Sequence, residues 1–191
     1  MRYLYIFLLF TFSSSLQAQT TFNLREAFGF PAAVISSIHP TDTCYYIAGI
    51  VSDSVPPYAI GSFLARLNLD GSIHWFKPLH GVNKTYETWH NTLLPQEDGG
   101  FVNIGYSFSD QNMYALFIRY DQWGDTLYTK EYLNPLAPDE TFFKPIAVTQ
   151  DINENFYLAI NAEASDVGPY QNGDYYVLKL NKHGDKIWGY F

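Results

Sequence analysis

The sequence predicts an all-β chain assembled from repeated four-stranded antiparallel sheets. Three observations carry that prediction. A hairpin phrase occurs three times, as "ARLNLDGSIHW" (residues 65–75), "IRYDQWGDTLY" (118–128) and "LKLNKHGDKIW" (178–188). A polar turn followed by an aromatic-rich strand precedes each phrase. Aromatic residues make up 18% of the chain, and helical periodicity is absent beyond the first 19 residues, which favours strands that bury large side chains.

Residues 1–19 stand apart from the fold. Arg2 gives a positive start, residues 4–12 are an apolar run, and "SSSLQAQ" is small and polar. That order is the signature of a secretory signal peptide, and the run is shorter than the roughly 20 residues a spanning helix needs. Export to the extracellular space, cell surface or periplasm is expected, with no membrane span. Cleavage after Ala18 is expected.

Residues 22–29, "FNLREAFG", match the outer strand that follows each hairpin, as in "FKPLHG" (76–81), and read as an orphan outer strand. Three units follow, at about 31–81, 88–134 and 143–191. Each begins with a short inner strand ("AAVISSI", "TWHNTLL", "KPIAVTQ"). Each continues with the aromatic strand ("TDTCYYIAGIVSD", "QEDGGFVNIGYSFSD", "DINENFYLAINAEASD") and ends in the hairpin.

The hairpins share a frame with a mechanical reason at each point. Asn68, Asp121 and Asn181 can open the turn by bonding their side chains to backbone two residues on. Gly71, Gly124 and Gly184 supply the positive φ that closes a bulged loop. Trp75, Tyr128 and Trp188 are large enough to wedge between neighbouring sheets. Residues Phe63, Ala65 and Leu67 should face one side of their strand, and Leu64 and Arg66 the other. Repeats of this length, four strands each, are the pattern of propeller blades.

Together these echoes resemble the repeats of secreted Gram-negative bacterial proteins that often end in a type IX secretion sorting domain. Gly99, Gly100, Phe101 and Gly105 carry the resemblance in the middle unit, beside the hairpin positions. Units one and three depart from it, with Thr43–Cys44 and Glu154–Asn155 at the double glycine. The resemblance implies a β-propeller and says little about activity. Three blades fall short of the four to eight a propeller usually has. The expected fold is therefore a partial β-propeller, an open arc of three blades. Truncation is the favoured reading, with self-association through the open edges as the alternative.

Charge and side-chain chemistry narrow the function. Without Arg2 the formal charge moves from −8 to −9, which argues against nucleic acid partners. Cys44 is the single cysteine, so no internal disulfide forms. The two oxygen-bearing side chains in each of "DQWGD" and "NKHGD" offer too few oxygens for calcium, and the five histidines assemble no four-ligand set, so no metal is expected. No nucleophile elbow or triad is present, so no catalytic residue is assigned. The spacing of Gly71/Trp75 and Gly184/Trp188 also resembles the docking motif of quinoprotein dehydrogenases, where the tryptophan holds blades together. An adjacent cysteine pair is impossible here, and no cofactor is expected.

The expected function is a non-catalytic, exported scaffold or interaction module with an unknown protein or glycan partner. The alternatives are the propeller portion of a glycan-active hydrolase or lyase, or a quinoprotein-like oxidoreductase. Loops between second and third strands lie outside the shared frame, and their Tyr58, Tyr114 and Tyr170 are the candidate ligand-binding residues on one rim.

Overall fold

The computed structural model describes residues 28–53, 60–109, 112–133, 141–164 and 174–190. The signal segment, Tyr58 and Tyr170 lie outside the described residues, as does most of the expected orphan strand.

Three antiparallel sheets follow one another along the chain. Sheet 1 contains β1 (Ala32–Pro40), β2 (Cys44–Ser52), β3 (Ile60–Asn68) and β4 (Ile73–Leu79), side by side in that order. Sheet 2 contains β5 (Thr85–Glu87), β6 (Leu94–Pro95), β7 (Phe101–Ser109), β8 (Asn112–Tyr120) and β9 (Thr126–Tyr132). Here β5 and β6 pair with opposite ends of β7, so they are one inner strand broken in two. Sheet 3 contains β10 (Thr141–Gln150), β11 (Phe156–Ala164), β12 (Asp174–Leu180) and β13 (Lys186–Tyr190). No helix among the described residues is long and apolar enough to cross a membrane.

The largest departures from the expected boundaries are at the start of sheet 2 and at residues 28–29. Sheet 2 begins at Thr85, ahead of the expected residue 88, and "TWHNTLL" is mostly the break in the strand. Phe28 and Gly29, the described end of the expected orphan strand, adopt positive φ of 50° and 75° and form a turn.

The broken strand has a physical reason. Thr88 and Thr92 are fully buried, and the Thr88 hydroxyl and the Thr92 N–H tie sheet 2 to sheet 1. Thr88 Oγ1 donates to the Gly49 carbonyl at 2.9 Å and lies 3.0 Å from Ser62 Oγ. Thr92 Oγ1 donates to Asn103 Oδ1 at 2.9 Å, and its N–H reaches Ser37 Oγ at 3.1 Å. The hydroxyls of this buried set are all hydrogen-bonded, which offsets the cost of burying them.

Strand alternation sorts the apolar residues into three layers. Ala48 and Leu64 of sheet 1 pack with Phe101, Leu116, Ile118 and Tyr120 of sheet 2. Val102, Ile104, Ala115 and Phe117 pack from sheet 2 onto Phe156, Leu158, Tyr176 and Leu178 of sheet 3. On the other side of sheet 1, Ile47, Val51, Phe63 and Ala65 form a third layer, covered by Phe28 and Phe30. Leu67 joins Phe63 and Ala65 there, while Leu64 points to sheet 2. This is the alternation expected of β3.

Candidate functional site

The repeated hairpin is also the joint between sheets. In sheet 2, Asp121 Oδ1 accepts the N–H groups of Trp123 at 2.9 Å and Asp125 at 2.8 Å. Asn181 does the same for His183 and Asp185 in sheet 3. Asn68 differs. It donates from Nδ2 to Ser72 Oγ at 2.9 Å, and Asp70 takes the Ser72 N–H instead.

Gly71, Gly124 and Gly184 hold φ of 85°, 81° and 72°. At Gly124 a second constraint applies, because a Cβ there would lie 2.4 Å from the Trp75 ring of sheet 1. The indole therefore rests on the glycine of the next sheet. Beside it Lys77 Nζ reaches Asp125 at 2.7 Å, and Lys130 reaches Asp185 at 2.5 Å across the second joint. There Tyr132 donates its hydroxyl to the Gly184 carbonyl.

One cross-strand row recurs in each sheet. It reads Tyr46–Arg66–Trp75 in sheet 1, Val102–Arg119–Tyr128 in sheet 2 and Tyr157–Lys179–Trp188 in sheet 3. Sheet 2 covers the first row: Phe101 lies 4.5 Å from Tyr46 between ring centroids. In sheet 3 the row looks outward. Lys179 stands 4.8 Å from the Tyr157 ring, and Trp188 meets Tyr157 edge-on at 6.0 Å. Tyr190 and Tyr175 on that sheet keep 67% and 70% of their surface exposed. A shallow hollow of about 210 Å³ crosses the same sheet, lined by Ala147, Tyr157, Ala159 and Val177 among others.

A larger groove, about 550 Å³, lies where the turns of sheets 2 and 3 meet. The wall from sheet 2 carries Gln96, Glu97, Asp98 and Arg119, with Leu127 and Tyr128 from the hairpin. The wall from sheet 3 carries Glu154, Lys182 and His183. Arg119, buried along β8, donates to Asp98 at 2.5 Å and to the Phe101 carbonyl at 3.2 Å. The Gly100 N–H, seconded by the Arg119 guanidinium, holds the Asp98 carboxyl below its ordinary range against the opposing push of burial. Lys182 pairs with Glu154 at 3.1 Å. Burial raises the Tyr128 hydroxyl, so it stays a neutral donor.

Of the candidate tyrosines only Tyr114 is described. It sits near the start of β8, half-buried, opposite Ser107. Five residues of strand, about 17 Å, separate it from Arg119, so it belongs to the other rim. The sequence marks Tyr128 as a wedge between sheets and none of the groove residues as ligand-binding. The signal that could have found them was Glu154, standing where the resembled repeats carry glycine.

No family model and no curated protein matches this chain. The chain is similar to a solved structure, a protein of unknown function from Bacteroides caccae at 1.35 Å resolution, with 11% identity and a TM-score of 0.39. The likeness covers 84% of this chain and 61% of that one, so this chain spans about three fifths of its length.

Proposed function

We propose that this chain is an exported, non-catalytic scaffold or interaction module of β-propeller type, its three sheets acting as consecutive blades. One observation carries the reading. The outward row of sheet 3 repeats, position for position, the row that receives sheet 2 on sheet 1. Trp188 corresponds to Trp75, Val177 to Leu64 and Tyr157 to Tyr46, and the earlier members of each pair pack at the sheet 1–sheet 2 joint. A face so constructed is suited to a further four-stranded sheet. A second copy of the chain is one source of it, and such self-association is part of the proposal.

The resemblance to secreted repeat proteins of the type IX kind, and the charged, apolar, polar order of residues 1–19, support export. Large aromatic faces left in water mark interaction sites in soluble proteins.

Sedimentation velocity over a range of concentrations tests the reading. Wild-type chain should associate with rising concentration, and Val177→Arg should abolish association without unfolding the protein. A chain that stays monomeric and whose sheet 3 face binds no hydrophobic dye would contradict it.

A further inference from the structure

We infer that the groove between sheets 2 and 3 is a binding site for a neutral oligosaccharide, contacted by Glu154, Arg119 and His183 and floored in part by Tyr128. The site is separate from the outward face of sheet 3 and goes beyond the scaffold reading.

The backbone at Glu154 departs from that of the other turns. The same five-residue turn recurs at 68–72, 96–100, 121–125, 151–155 and 181–185. In each, the first N–H bonds to the fifth carbonyl and the fourth N–H to the first carbonyl. Gly71, Gly99, Gly124 and Gly184 hold the fourth position with φ between 72° and 85°, and Glu154 holds it with φ of 61°. A side chain in that left-handed region is strained, and glycine would form the turn without strain. The pair with Lys182 is exposed, 55% on one side and 41% on the other, and exposed pairs return little. What glutamate adds here is a carboxylate in the groove. Strain of this kind concentrates where a side chain must be presented to a ligand.

The charges of the groove favour a neutral ligand. Glu97, Asp98 and Glu154 face Arg119 and Lys182, leaving one net negative formal charge with His183 neutral. Within each wall the main charges are already paired, Arg119 with Asp98 and Lys182 with Glu154. A phosphate, sulfate or uronate would have to displace those pairs. Among the described residues no group of three acid, histidine or cysteine side chains could hold a metal ion. The groove offers acceptors beside donors, and a hydroxyl is the group that uses both at once. Sugar hydroxyls present them in adjacent pairs.

The shape and surface of the groove fit a sugar ring. About 550 Å³ falls within the range of roughly 300–1,000 Å³ typical of small-molecule sites. Tyr128 and the half-exposed Leu127 supply an aromatic and apolar patch for the C–H face of a sugar ring.

Calorimetric titration of the purified chain with cello-, xylo-, manno- and chito-oligosaccharides tests the site, with oligogalacturonate and heparin fragments as anionic controls. At least one neutral series should bind. Glu154→Gly should lower its affinity at least about tenfold while raising the melting temperature, since glycine relieves the turn. His183→Ala should also weaken binding, and Val177→Arg should leave it unchanged. Absence of binding to every neutral series, preference for the anionic controls, or unchanged affinity in Glu154→Gly would overturn the inference. None of those results bears on the outward face of sheet 3.

Discussion

Sheets 1 and 3 each turn one face away from the middle of the molecule, and the chain treats the two faces differently. On sheet 1, Val51, Phe63 and Ala65 are wholly buried. Phe28 stacks on Phe76 at 5.0 Å and tilts over Phe63 at 5.3 Å, with Phe30 alongside at 6.0 Å from Phe76. On sheet 3, Tyr175, Val177 and Tyr190 remain in water, and the hollow beside Tyr157 is open. Burying one large apolar side chain is worth about 1.5–3 kcal/mol, so a covered face contributes to stability and an uncovered one holds that contribution in reserve. Two sheets of one design can thus play different parts, one closed by its own chain and the other available.

The comparison breaks most severely at Phe63. Phe63→Ala should cost about 3–5 kcal/mol in denaturant titration, whereas Val177→Ala, on the open face, should stay within about 0.5 kcal/mol. Equal losses at both positions would mean that the far face of sheet 3 is covered too.

Next in size is the occupied joint between sheets 1 and 2. Gly124→Ala must hold a positive φ and press against Trp75, and should cost about 2 kcal/mol or more, measured by thermal unfolding. A smaller loss would show that the indole can move aside.

Phe28→Ala should cost about 1–2 kcal/mol, since Phe28 is half-buried. It should also raise hydrophobic dye binding, making sheet 1 resemble sheet 3. Lys130→Met should cost no more than about 1 kcal/mol, because Asp185 in that pair is 63% exposed.

The finest distinction is electrostatic. The Asp151 carboxyl is pushed down from 3.8 to about 2, first by the Asn155 side chain, then by backbone N–H groups and the Tyr157 hydroxyl. A carboxyl lowered on folding adds stability that is complete above its unfolded value and is lost as pH falls through its folded value. Stability should therefore decline between about pH 4 and pH 2. Tyr157→Phe should move the Asp151 titration upward in carboxyl-detected NMR.

Much of the fold was legible because its signals are local. The turn at Gly124 needs a positive φ wherever it occurs, and the alternation of Phe63, Leu64 and Ala65 assigns faces before any packing is known. The break in the inner strand of sheet 2 was not legible, because "TWHNTLL" reads as strand. Only the proximity of Ser37, Gly49 and Ser62 lets Thr88 and Thr92 leave the ladder. The groove was hidden for a similar reason. Asp98 and Arg119 are 21 residues apart, and Glu154 and Lys182 come from another sheet. The segments outside the repeated frame point to Tyr114, which lies in β8 towards the other rim.

The sequence by itself determined the all-β character, the antiparallel hairpins and their spacing, because strand alternation, turn glycines and aromatic content act over a few residues. The tertiary structure alone decided which faces are covered, where the inner strand breaks and which turns meet to form a groove. Those outcomes depend on distances between residues far apart in the chain, which no local preference encodes.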